Sequence, residues 1–241
     1  MKRTLAALAL ALLAPAVAPA AARADSIDYR SACALPQSVV VTVQRQLQIV
    51  VQMDNGGIFK PSRMWSAVVD RAGVLCSVSV AGDAWPGSRA IAIAKASTAN
   101  DFSNSALSLS TANLYAATQP GGSLYGLNNS NPFNPADNLV TTAQGPGTGV
   151  GQTPGGIITF GGGLALYSGG KVIGALGVSG DSSCADHTIA YRMRHYAGLD
   201  TIPTGIMASD NIQYAPVGTA PTGFQQPHCG FGELDPGRIL N

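Results

Sequence analysis

From Phe160 to Gly180 the chain reads FGGGLALYSGGKVIGALGVSG: two apolar runs about a Gly169-Gly170 pair, closed by Gly-Val-Ser-Gly. Short β-prone runs joined by glycines predict a hairpin. The glycine-serine exit then delivers the chain into a helix from Ser183 to His195, with Asp181, Ser182 or Ser183 as its cap. Upstream, Met64–Asp70 (MWSAVVD) and Val74–Val80 (VLCSVSV) predict a second hairpin around Arg71-Ala72-Gly73. Ser31 to Val51 combines helical hydrophobic spacing with many β-branched residues; the reading is a helix beginning near Pro36, with a strand as the alternative. Arg89 to Phe102, rich in alanine and isoleucine and preceded by Ser88 as a plausible cap, predicts a helix that covers the Met64–Val80 hairpin. Ala106 to Thr118 predicts a shorter helix ended by Gln119-Pro120-Gly121-Gly122. Ser123 to Gly156 carries no periodic pattern and is longer than an unstructured loop usually is in a compact domain, which suggests a binding lid or a linker.

Met1-Lys2-Arg3, an uninterrupted Ala/Leu/Pro run from Thr4 to Ala22 and an Ala22-Arg23-Ala24 site predict a signal peptide cleaved after Ala24 and a periplasmic or secreted product without a stable membrane anchor. The remainder divides into an N-terminal extension with the first helix (residues 25–63), a single α/β (α+β) domain (64–200) and a Pro/Gly-rich tail (201–241). With 14 basic against 13 acidic residues and only 11% charged, no global field attracts nucleic acid. Low charge beside 46% hydrophobic residues points instead to a symmetric homo-oligomer larger than a dimer. The four cysteines form no C-x-x-C pair and read as disulfides in an oxidising compartment, free buried thiols being the alternative. Three connectivities are open. A Cys184–Cys229 bridge is favoured because it would order a tail poor in periodic hydrophobics, which leaves Cys33 with Cys76.

Five segments in order then carry a resemblance: AVVDRAGVL (Ala67–Leu75), AIAKA with Lys95, QPGGSLYGL (Gln119–Leu127), the Gly-Gly-Gly-Leu strand start and GALGVSG, followed by a helix with Asp186 in its first turn. Over about Trp65 to Leu199 the chain resembles the GlcG/HbpS-like family, the haem-binding or haem-degrading domain related to the PduO C-terminal domain. The resemblance implies a profilin-like fold, a small antiparallel sheet with helices on its faces, usually oligomeric, and haem as the ligand. Where the family commonly pairs two acidic residues at the start of the last helix, Asp186 is followed here by His187, and no E-x-x-E iron motif is present.

The candidate chemistry concentrates on that helix. His187, Tyr191 and His195 recur at intervals of four and share one helical side, with Arg192 and Arg194 alongside. Imidazole or phenolate for iron, with His187 and His195 as metal ligands, and guanidinium for propionates is what a haem site needs. The alternative is an ordinary solvated helix face. Lys95, flanked by Ile91, Ala92, Ile93, Ala94 and Ala96, could anchor a carboxylate ligand at a subunit junction or pair with a nearby acid such as Asp101. An enzyme or accessory protein acting on a small organic carboxylate, with the long loop as lid, is therefore the second functional reading; a structural oligomer is the third. A serine hydrolase is disfavoured, because G-x-S-x-G would need glycine where Asp181 stands. Metal hydrolysis lacks any H-x-x-x-H or H-E-x-x-H, and Gly145–Gly151 is no phosphate loop.

Overall fold

A computed structural model describes residues 33–134, 149–205 and 209–241. The signal-peptide reading and most of the Gly145–Gly151 run lie outside them. The predicted hairpins form as strands β1 (Met64–Asp70) and β2 (Leu75–Ala81), and β3 (Gly163–Ser168) and β4 (Lys171–Ser179). Together they make one antiparallel sheet in the order β2-β1-β4-β3. Both faces of central β1 are covered, so all seven of its residues are buried and alternation decides only which helix each one meets.

Trp65, Ala67 and Val69 face α2 (Ser88–Asp101), packing with Ala92, Ile93, Ala96 and Ala99. Met64 and Val68 face the other way, joining Leu164, Leu166, Leu176 and Val178 beneath α1 (Gln37–Val50) and the last helix, α4 (Ser183–Tyr196). The result is the expected α+β sandwich of a small antiparallel sheet between helical layers. α2 lies unusually close to the sheet because glycine faces it: a Cβ on Gly177 would sit 2.0 Å from the Ala92 carbonyl oxygen, and one on Gly163 would sit 2.4 Å from that of Lys95. Its alanines are therefore contact residues as well as helix formers.

The first helix resolves as α1, starting one residue after Pro36. Two local expectations need correction. Ser88 is the first helical residue of α2 rather than its cap, and Gly87 precedes it without a side-chain bond. The helix expected from Ala106 to Thr118 is only a 3-10 turn (Thr111–Leu114) running into a single α-turn, α3 (Tyr115–Thr118). Asn104 Oδ1 accepts the N–H groups of Ala106 and Leu107, and Ser110 and Asn113 form a capping box, so side chains take up the backbone groups a longer helix would use.

Asp70 organises the β1–β2 turn. Its Oδ1 accepts from Ala72 and Val74 N–H, and its Oδ2 from Ala34 N–H, which draws in the segment before α1 beside the Cys33–Cys76 bridge. The second bridge, Cys184–Cys229, ties the tail to α4. Both pairings are those favoured from the sequence, and no cysteine is free. Among the described residues no helix is long and apolar enough to cross a membrane.

Candidate functional site

The groups singled out in the sequence gather around α4, under conditions that sequence periodicity does not reveal. Ser182 Oγ caps the helix by accepting from Ala185 N–H. Asp181, the neighbouring cap candidate, instead accepts from Ile58 and Phe59 N–H and holds the 58–59 segment. Asp186 in the first turn meets Lys95 from α2: Lys95 Nζ donates to Asp186 Oδ2 at 2.6 Å and to the Val178 carbonyl at 3.0 Å, and stands 4.8 Å from the Phe160 ring centre. Both side chains are buried. The partner of Lys95 is thus Asp186, not Asp101, and its ammonium is used up inside the fold rather than presented to a ligand. Burial pushes the Asp186 carboxyl up to about 6, against the charge and hydrogen bond of Lys95. Burial likewise lowers the Lys95 ammonium, with Asp186 opposing.

α4 is not a solvated face. The sheet covers one side, and the tail covers the other. His187 is fully buried: Ile212 N–H donates to its Nε2 at 3.0 Å, Asn211 Oδ1 lies 3.1 Å away, and Nδ1 has no partner. Burial lowers this imidazole to about 4, so it is neutral at physiological pH. The Tyr191 ring stacks on it at 6.0 Å, as a spacing of four requires. Arg194 makes a buried fork to Asp210, Nη1 to Oδ2 at 2.5 Å and Nη2 to Oδ1 at 2.6 Å. Burial would raise Asp210, but the charge and hydrogen bonds of Arg194 outweigh it and hold the carboxyl low. Arg192 donates to the Ile239 and Asp54 carbonyls and to Asn55 Oδ1. His187, Arg192 and Arg194 are therefore brought together but locked into the fold by partners from the tail and the 54–55 turn. The physical reason is the tail itself, whose docking the periodicity of α4 could not show.

His195, in the last turn, is different. Its side chain is 43% exposed, and its Nδ1 lies 2.6 Å from Asp200 Oδ2. A carboxylate on Nδ1 takes that N–H and leaves the Nε2 lone pair free, the arrangement that orients histidines toward iron or zinc. Asp200 is carried next to Tyr167 at the end of β3, and the following residue, Ser168, lines an apolar groove of about 660 Å³ formed with Leu35, Pro36, Val39 and Ile173. Arg71 stands on the same groove. Asp200, Arg71 and the groove were not singled out in the sequence, where the acid five residues after His195 was the one available signal. His228 also has a carboxylate at Nδ1, from Glu233 at 2.9 Å, but its ring is stacked on Tyr214.

The family model described as "Haem degrading protein HbpS-like" matches residues 60–194, more than half of the chain. The protein belongs to the HbpS-like family. A solved structure titled "Crystal Structure of PduOC:Heme Complex" is 26% identical, with a TM-score of 0.52 over 70% of this chain and 98% of that one. Klebsiella pneumoniae protein ORFY, at 24% identity and a TM-score of 0.51 over 68% of this chain and 90% of that one, shows the same fold. No curated protein gives a significant match.

Proposed function

We propose that this protein is an exported haem-binding member of the HbpS-like family and that His195 supplies the iron ligand through Nε2. The observation that carries the reading is the His195–Asp200 pair: an accessible imidazole whose tautomer is fixed by a carboxylate 2.6 Å from Nδ1. The similarity to the haem complex of PduOC supports the choice of ligand. Haem would bring a redox-active iron within a flat apolar macrocycle. Of the residues present, His195 would offer nitrogen and the groove lined by Leu35, Pro36, Val39 and Ile173 would offer apolar surface. Arg71 on that groove donates to the Asn100 carbonyl and to Asn100 Oδ1, and would have to turn from them to meet a propionate. Tyr191, His187, Arg192, Arg194 and Lys95 hold the helix that carries His195 rather than touching the macrocycle. Two disulfides support export to an oxidising compartment.

Adding hemin to purified protein tests the reading: a Soret band that grows to saturation at a fixed stoichiometry is expected, and a linear, unsaturable rise overturns it. The same proposal includes a homo-oligomer, which would cover exposed apolar side chains such as Trp85 and Phe231. Light scattering should return a mass above that of a dimer; a monomer mass at micromolar concentration would remove that part.

A further inference from the structure

The two disulfides occupy opposite electrostatic settings. Cys184 is the second residue of α4, where the free N–H groups and dipole of the helix favour negative charge. Its own N–H donates to Cys229 Sγ at 3.2 Å, and Gln226 Nε2 lies 3.7 Å from Cys184 Sγ. Cys33 and Cys76 instead lie beside the Asp70 carboxylate, all three sets of donor atoms falling within 4.8 Å of one another. A thiolate forming at Cys184 is stabilised, whereas one forming at Cys33 or Cys76 faces a neighbouring carboxylate.

What Cys184–Cys229 holds is specific. Residues 209–241 dock over α4 through Asp210 on Arg194, Ile212 N–H on His187 and the Ile239 carbonyl on Arg192. Ile212 and Ile239 pack directly on Cys184 and Ala112. Gln226 Oε1 also accepts from Gly161 N–H at 2.7 Å, which joins the tail to the strand entry. The tail begins beyond the family-matched span. It is a strap laid over the family domain, and among the described residues its one covalent fastening past α4 is Cys229.

We infer that Cys184–Cys229 is a redox latch: a dithiol reductant opens it ahead of Cys33–Cys76, loosening the strap and exposing the His187 face of α4. The reductant's thiolate bonds to half-buried Cys229 Sγ and expels Cys184 as a thiolate. Its second thiol then displaces Cys229, so that the reductant ends as a disulfide and both cysteines as thiols once solvent supplies their protons. Two electrons pass from the dithiol to the protein. The inference stands apart from haem binding and is tested without haem.

Native protein is treated with limiting dithiothreitol, alkylated and mapped by mass spectrometry, with hydrogen exchange followed in parallel. Cys184 and Cys229 should be alkylated while Cys33 and Cys76 remain paired, and exchange should rise by more than about tenfold in residues 209–241 and the first turns of α4. Reduction of Cys33–Cys76 first, or of both bridges together, would overturn the latch. So would selective opening without any change in tail exchange. A Cys184→Ser/Cys229→Ser double variant should reproduce the faster exchange without reductant; protection equal to that of the native protein would overturn the strap.

Discussion

Lys95 and Asp186 meet at 2.6 Å with neither side chain exposed, so that the middle of α2 is joined through the core to the first turn of α4. Removing the ammonium leaves a buried carboxylate, at a cost of about 3–5 kcal/mol for a broken buried pair. Burial raises Asp186 to about 6, so it gives up its proton at higher pH in the fold than in the unfolded chain. A carboxyl raised by folding contributes stability that is full below the unfolded value near 3.9 and is lost as pH rises through the folded one. Lys95→Met should therefore be destabilised more at pH 8 than at pH 5. Urea unfolding at the two pH values checks this, and an equal deficit at both would be inconsistent with a buried ion pair.

His187 has the opposite sign. Its imidazole is lowered to about 4 by burial, below the unfolded value near 6.5. Its contribution to stability is present above pH 6.5 and is lost as pH falls toward 4. The ring should remain neutral at pH 5.5 by NMR. A ring that titrates near 6.5 in the folded protein would show that the tail does not bury it.

The Arg194–Asp210 fork pins the tail to α4 with both partners buried. Arg194→Ala should cost about 3–5 kcal/mol, because it strands the Asp210 carboxylate. An Arg194→Met/Asp210→Leu double variant should recover much of that loss. Chemical denaturation of the three proteins measures the difference.

The strands, α2 and α4 were legible because local composition agrees with what the fold asks of it: β-branched runs in β1 and β2, glycine at the two hairpin turns, and alanines in α2 placed against Gly163 and Gly177. α1, whose β-branched residues left a strand open as the alternative, is decided by its packing on the sheet and α4. The disulfide pairing was legible because an aperiodic tail needed a fastening. The short segment at 106–118 was not, since Asn104, Ser110 and Asn113 act through hydrogen bonds that no propensity expresses. Nor was the division among the α4 residues. His187 and His195 share a helical side, yet one lies beneath Ile212 and the other opens to solvent beside Asp200, and only the path of residues 209–241 separates them.

The haem reading rests on His195, and a hemin titration of the native protein beside His195→Ala, read at the Soret band, tests it most directly. His195 is exposed at the end of α4, so its replacement should leave the melting temperature within a few degrees of native. The account predicts a saturable band in the native protein that is abolished or strongly shifted in His195→Ala. An identical titration in the two proteins would contradict it.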